Sequence, residues 1–360
     1  MRPNPSGDDL ETWAHRHGRA SRRSRIGIPE AVIEMSAPSP NLDYITWYTQ
    51  EYFDHRRSPV KARLFVHDLP LDRMPALARP RSVSPLRRVA LPASLEAACF
   101  VDDGRRAVHL LPRDDSRPLP RLLATRVLRA LVMHELLLQG ALFFHAACFT
   151  LRGTGIALLG ARTAGKTTML LHALTRPEAS LVSNDKIALL PRTPQGPAAA
   201  LGFPVRAGIR PGSVHCLPDG PLRTFLSRTW SKEYGNTTSP SGDDVRIQVR
   251  PQELAAASGG SGVSPRCRLD AAIETRLDQH ADKPRLKLLN AVESGALWAR
   301  QHLHNPAAIF PQQAAVATPG SLSILQVPQI PTYRLTQPPS AGPASLQLIE
   351  DLMCRTAVGE

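Results

Sequence analysis

The chain is short of the features that announce several large protein classes. Its five cysteines, Cys99, Cys148, Cys216, Cys267 and Cys354, stand far apart. There is no CxxC pair and no Cys/His group with metal-ligand spacing, which excludes a zinc ribbon and a disulfide framework and fits a reducing compartment. Aromatic residues make up only 5% of the chain, so the core must be built from Leu, Val, Ile and Ala. Those few aromatics are not interleaved with the basic residues, as a stacking platform for nucleic acid requires. No apolar stretch follows the basic residues of the N-terminus, so no signal peptide is expected there. The most membrane-like run, LVMHELLLQGALFFHAACFTL over 131–151, contains His134, Glu135, Gln139 and Gly140. An acid at mid-bilayer costs about 2.5–3.5 kcal/mol on insertion scales. The run therefore reads as a buried helix followed by a buried strand, with no membrane span, and the protein is expected in the cytoplasm. Internal repeats are also missing.

What the chain does have is length, apolar content and arginine. Its 360 residues suffice for two domains, and 42% hydrophobic residues suffice for a core. The formal charge of +13 is mostly arginine. A basic surface attracts polyanions, but the charge is spread along the chain, which fits an Arg-, Ala- and Pro-rich composition as well. A nucleic-acid partner is accordingly not favoured. Residues 1–40, with HRHGRASRRSR at 15–25 and SAPSPN at 36–41, are basic and polar and are expected to lack order. Met35 stands as a second candidate start. A small β-rich accessory domain is expected over 41–116, from LDYITWYTQEYFD at 42–54 and from the strand-like runs 62–69, 96–103 and 106–113.

From 117 to the C-terminus the pattern changes. A helix fits 120–139, with Leu123, Val127, Leu131 and His134 on one stripe and Gly140 at its end. Strand-like runs follow at 141–151 and 155–160, then a helix at 166–175. ASLVSNDKIALLPR at 179–192 is an apolar run ending in an acid, followed by a second apolar run. Further on lie a coil-like stretch at 231–243, a strand at 268–277 and a helix at 284–301. A proline-rich stretch at 304–343 leads to a last amphipathic helix with Leu346, Ile349 and Leu352.

The segment GARTAGKTT, Gly160–Ala161–Arg162–Thr163–Ala164–Gly165–Lys166–Thr167–Thr168, satisfies G-x-x-x-x-G-K-[ST]. At average composition the pattern arises by chance in roughly one chain of this length in a hundred. Here it also sits between an apolar strand and an amphipathic helix, as the motif requires. Glycines let backbone N–H groups turn inward and let the chain approach phosphate oxygens closely. The helix start adds the positive end of its dipole. Lys166 would reach the β- and γ-phosphates of ATP, and the Thr167 hydroxyl would ligate Mg²⁺. Asp185, at the end of SLVSN, is the candidate second metal anchor or catalytic acid; a simple Asn-Asp turn is the alternative. A bare glycine turn would explain neither the lysine nor the hydroxyl.

The layout FFHAACFTLRGTGIALLGARTAGKTT…LVSNDKIAL resembles the HPr kinase/phosphorylase catalytic domain and the wider HPr-kinase-like P-loop proteins: a strand histidine, a hairpin, a phosphate loop, and an acidic pair some eighteen residues after the lysine. The resemblance covers about 117–350 and is firm over 140–192; QIPTYRL at 329–335 also looks like a closing strand of such proteins. It implies an α/β fold with a central sheet and flanking helices over 117–360, preceded by the β-rich domain. It implies ATP and Mg²⁺ as ligands, and a hydroxyl of a peptide, protein or small molecule as acceptor. Relatives of this kind occur in natural-product gene clusters. His145 matches the family's histidine near the transferred phosphate; taken alone, it reads more readily as a core histidine.

Two departures stand out. The family carries two consecutive aspartates, the first a catalytic base, whereas these positions hold Asn184 and Asp185. Asn cannot accept a proton, so Asp185 combines both duties, His145 assists, or the base is lost. The segment GFPVRAGIRPGSV at 202–214 holds no second metal-binding acid; its Arg206 and Arg210 are candidate phosphate contacts or surface charge. The family's carrier-protein signature is not visible. The sequence thus supports a phosphotransferase first, a non-catalytic or regulatory nucleotide-binding module second, and a nucleic-acid-associated NTPase only through its charge. Homo-oligomerisation stays open.

Overall fold

The chain folds into two compact units, divided at Gln139–Gly140. The computed structural model describes residues 21–53, 58–68, 86–89, 97–102, 106–113, 121–190, 198–235, 245–303 and 330–358.

In the first unit, β1 (Ser21–Ile28) and β2 (Ala31–Pro38) form an antiparallel hairpin, followed by helix α1 (Ser39–Thr49). Then come β3 (Val60–Val66), β4 (Leu86–Val89), β5 (Ala97–Asp102), β6 (Ala107–Pro112) and helix α2 (Arg121–Leu138). The strands make one mixed sheet in the order β1-β2-β3-β6-β5-β4, with β2, β3 and β6 parallel. The expected absence of order over 1–40 fails for 21–38, while 1–20 lie outside the described residues. The reason lies in Val32, Ile33 and Met35, all fully buried, which anchor β2 inside the sheet. The basic end of the hairpin, Ser21 to Arg23, is exposed on the edge strand β1, where charge blocks pairing with another chain.

Helix α2 was expected to open the second domain. It belongs to the first unit, packing on α1, β2 and β3, because its stripe of Leu123, Val127 and Leu131 is buried there. Glu135 is also buried on it and pairs with Arg106. Burial pushes the Glu135 carboxyl up against the opposing pull of that guanidinium. This satisfied carboxylate is what breaks the apolar run of 131–151. No helix among the described residues is long and apolar enough to cross a membrane.

The second unit is mixed α/β. Its elements are β7 (Leu142–His145), β8 (Ala147–Leu151), β9 (Thr154–Leu159), α3 (Lys166–Leu174), β10 (Ala179–Ser183), β11 (Lys186–Leu189), β12 (Ala199–Gly202), β13 (Ala207–Ile209), α4 (Pro211–His215), α5 (Pro221–Tyr234), β14 (Ile247–Val249), α6 (Pro251–Ser258), β15 (Arg266–Arg268), β16 (Ala271–Leu277), β17 (Arg285–Leu288), α7 (Ala291–Gln301), β18 (Thr332–Gln337) and α8 (Gly342–Val358). The principal sheet runs β10-β8-β9-β16-β18-β17, with β9, β16 and β18 parallel at its centre. A second sheet, β15-β12-β11-β7, and a small ribbon, β13-β14, complete it.

Strand β9 is buried on both faces, and its side chains alternate between two cores. Ile156 and Leu158 join α3, α5 and α8 on one side. Ala157 and Leu159 join Phe144, Trp298 and the second sheet on the other. The principal sheet is therefore covered by helices on one face and by a sheet with α7 on the other, instead of by helices on both. The single strand expected over 141–151 is divided at Ala146: β7 pairs with β11, and β8 with β9 and β10. The helix expected over 284–301 starts only at Ala291, because Asn290 and Glu293 form a capping box; residues 285–288 are strand β17. Of the proline-rich stretch, 304–329 lie outside the described residues, and Thr332–Gln337 forms the half-buried strand β18.

Trp298 is fully buried, stands edge-on to Phe144 with ring centroids 4.7 Å apart, and donates its indole N–H to Thr332 Oγ1 at 3.4 Å. Trp298→Ala should lower unfolding stability by about 3–5 kcal/mol in a urea titration. A loss below about 1 kcal/mol would mean that this core is not packed as described.

Candidate functional site

The loop between β9 and α3 is folded in a way few sequences permit. Gly160 has φ 140°, and a Cβ there would sit 2.9 Å from the Thr275 carbonyl oxygen. Gly165 has φ 93° and is the residue from which α3 starts. Both glycines are needed for their backbone alone. Thr163, at φ 69°, is a non-glycine residue in the left-handed region, a strained position of the sort that clusters at ligand sites.

Lys166, the first residue of α3, closes this loop from within. Its Nζ donates to Gly160 O at 2.6 Å and to Ala161 O at 2.9 Å, and the residue is only 8% exposed. Burial lowers its pKa from the usual lysine range, against the opposing pull of the Asp185 carboxylate. Helix α3 has as its N-cap residue Gly165, which has no side chain to cap the first turn. Its N-terminal N–H groups thus keep the positive end of the helix available to an anion. Thr168 bonds the Ser213 hydroxyl at 2.8 Å and ties this turn to α4.

The opposite wall is set by the pairing of β7 with β11, which puts His145 across from Lys186. His145 Nδ1 lies 3.2 Å from Asp185 Oδ1 and 3.0 Å from Asp185 O. The Ala146 N–H also donates to Asp185 O, at 3.1 Å. The histidine and the aspartate are therefore held together at the strand ends, each about one third exposed. Asn184 behaves differently. Its Nδ2 donates to Arg206 O at 3.3 Å, while its Oδ1 is buried without a hydrogen-bond partner. The amide thus fixes the chain entering β13.

These elements enclose a cleft of about 660 Å³. It brings together His145, Asn184, Asp185 and residues 162–168, with Arg206 and Arg210 on the β13 side. Arg246, at the start of β14, adds a further guanidinium. Asp185 is the only carboxylate among the described residues that line it. With Arg162, Lys166, Arg206, Arg210 and Arg246 on the other side of the balance, the cleft suits a polyanion. Gly160 and Ala161 lie behind the loop, with their carbonyls turned to Lys166. No group of three or more His, Cys, Asp or Glu side chains among the described residues could hold a metal. Thr167 and Asp185, the expected pair of metal ligands, both line the cleft. That donor set fits a cation whose remaining ligands are phosphate oxygens and water, as Mg²⁺ prefers.

Sequence reasoning missed Arg246, Ser213, Leu277 and Gln337, which also line the cleft. Arg246 arrives through the β13-β14 ribbon, and Leu277 and Gln337 at the ends of β16 and β18. None of them lies near the motif in sequence or carries a pattern of its own.

No protein-family profile matches the chain, and no curated protein does. Among solved structures it is similar to the Hpr(Ser) kinase/phosphatase from Coxiella burnetii, at 13% identity over 60% of this chain and 96% of that one, with a TM-score of 0.29. A likeness that distant carries no argument about this chain's chemistry.

The burial of Lys166 has a consequence for stability. Its folded pKa lies below its ordinary value near 10.5, so the unfolded chain binds the extra proton in the window between the two. Native stability relative to Lys166→Met should therefore rise with pH as pH climbs through that window, and level off above it. Urea midpoints of both proteins, followed from neutral pH upward, read this directly. Parallel curves, or a native curve that falls relative to the variant, would contradict the burial of the ammonium.

Proposed function

We propose that the chain is an ATP- and Mg²⁺-dependent phosphotransferase of the HPr-kinase-like type. It would move the γ-phosphoryl group to a hydroxyl of a peptide, protein or small molecule, in a cytoplasmic setting such as the biosynthesis of a modified peptide. The observation that carries this is the position of Lys166: a buried ammonium bonded to two loop carbonyls at an uncapped helix start, facing a His–Asp pair across a basic cleft.

On this reading the loop amides of 160–168 and Lys166 hold the phosphate chain, and Arg206 and Arg210 neutralise charge on the transferring group. A bound Mg²⁺, with Thr167 and Asp185 as its candidate protein ligands, would supply further charge neutralisation. The acceptor hydroxyl oxygen forms the new P–O bond while the bond from γ-phosphorus to the β,γ-bridging oxygen breaks, and ADP leaves with that electron pair. The hydroxyl proton passes to the Asp185 carboxylate, which His145 positions from 3.2 Å. Asn184 takes no part in proton transfer, since its amide is used on the Arg206 carbonyl.

The second reading is a nucleotide-binding module without turnover. It is favoured by Asn184, which stands where the resembling family has an acid, and by Asp185 being the single carboxylate among the described residues lining the cleft.

Incubation with Mg·ATP separates the two readings. The kinase should release ADP slowly even without acceptor. Lys166→Ala should abolish that release, and Asp185→Asn should slow it by roughly 10²–10⁴-fold. Tight nucleotide binding with no turnover, for both the native chain and Asn184→Asp, supports the binding module. Turnover at the native rate in Asp185→Asn would remove Asp185 as the base.

A further inference from the structure

Beside the phosphate loop, two parallel strands end in residues whose surroundings are incomplete. Leu277 closes β16 and Gln337 closes β18; they are register partners, and the Asp278 N–H donates to Gln337 O at 2.9 Å. In open α/β sheets, ligands gather beyond the carboxyl ends of such strands. Gln337 is 4% exposed, lines the cleft, and its Oε1 has no hydrogen-bond partner. A buried carbonyl of this kind calls for a donor that the chain does not supply. Leu277 shows the converse: an apolar side chain 45% exposed at the rim of the same cleft. Both reach the phosphate loop. A Cβ built on Gly165 would lie 3.3 Å from Gln337 Nε2 and 3.4 Å from Leu277 Cδ2. Pro339 and Gly342, the first residue of the 17-residue helix α8, continue this wall.

We infer that the ends of β16 and β18 form a nucleoside subsite. Leu277 and Pro339 offer apolar surface to the face of a base. Gln337 Oε1 accepts a hydrogen bond from a donor on the nucleoside, an exocyclic amino group or a sugar hydroxyl. The subsite rests on the phosphate-binding reading of the adjoining loop, since it places the nucleoside where the phosphate chain leaves Gly165. It also gives Gln337 a specificity role, because a ligand without the donor would leave the buried carbonyl unpaired.

Calorimetry with Mg·ATP and with Mg·tripolyphosphate, which has the phosphates and no nucleoside, tests this on the full chain. The native protein should bind ATP at least about tenfold more tightly than tripolyphosphate. Gln337→Leu should weaken ATP roughly tenfold and leave tripolyphosphate unchanged. Leu277→Ser, at a position 45% exposed, should weaken ATP several-fold with the same selectivity, and it decides the matter if Gln337→Leu does not fold. Equal native affinity for the two ligands overturns the subsite while leaving the phosphate loop intact. So does unchanged ATP affinity in both variants. An equal loss of both ligands in Gln337→Leu, with none in Leu277→Ser, assigns Gln337 a structural role and also overturns it. If the native protein binds neither ligand, the phosphate-loop reading falls, and the subsite with it.

Discussion

The contact between the Lys166 ammonium and the carbonyls of Gly160 and Ala161 is the constraint on which the rest of the site depends. A buried cation is costly unless it is paired or hydrogen-bonded. Here the acceptors come from a backbone that only glycine at 160 and 165 can shape. The loop and the lysine therefore specify each other. Strand β9, packed on both faces, delivers Gly160 to a fixed place, and α3 opens on Lys166, whose ammonium bonds back to it. The strain at Thr163 is held in that frame.

The same constraint explains the charge of the cleft. Removing an ammonium from water lowers its pKa, and among the described lining residues the only carboxylate that offsets this is Asp185. Around them stand arginines from β13, β14 and the loop itself. An excess of positive charge facing a single acid is unfavourable in the free protein and favourable once a polyanion is present. This is the usual tension between stability and function at a preorganised site. His145 and Asp185 are kept in register by backbone bonds between the strand ends as well as by their own contact, so their geometry does not depend on a ligand.

The local half of this was legible in the residues. The glycine-lysine-threonine spacing, the apolar strand before it and the amphipathic helix after it point to the loop between β9 and α3, and the acid ending SLVSN points to Asp185. Patterns with a short period survive in sequence because each residue answers to its neighbours. The non-local half was not legible. Met35 and Val32 look unremarkable beside a basic, proline-bearing segment, and only the sheet that β2 enters makes them core. Helix α2 shows its apolar stripe but not which sheet it covers. The run 141–151 has no turn residue at His145–Ala146, so its change of sheet is a tertiary event. Gln337 and Leu277 reach the cleft because β16 pairs with β9 and β18 pairs with β16, the latter joining residues 60 positions apart in the sequence. Asn184 was flagged as a departure from an acidic pair, and its bond to the Arg206 carbonyl gives it a structural duty that composition does not reveal.

The central claim is that the backbone of 160–168 and Lys166 form a cradle for a phosphate chain. Hydrogen exchange of the full chain with and without Mg·ADP tests it most directly. The account predicts slowed exchange concentrated in the amides of 160–168 and the first turn of α3, with the sheet of the first unit unaffected. Unchanged exchange across that segment, under saturating nucleotide, would contradict it.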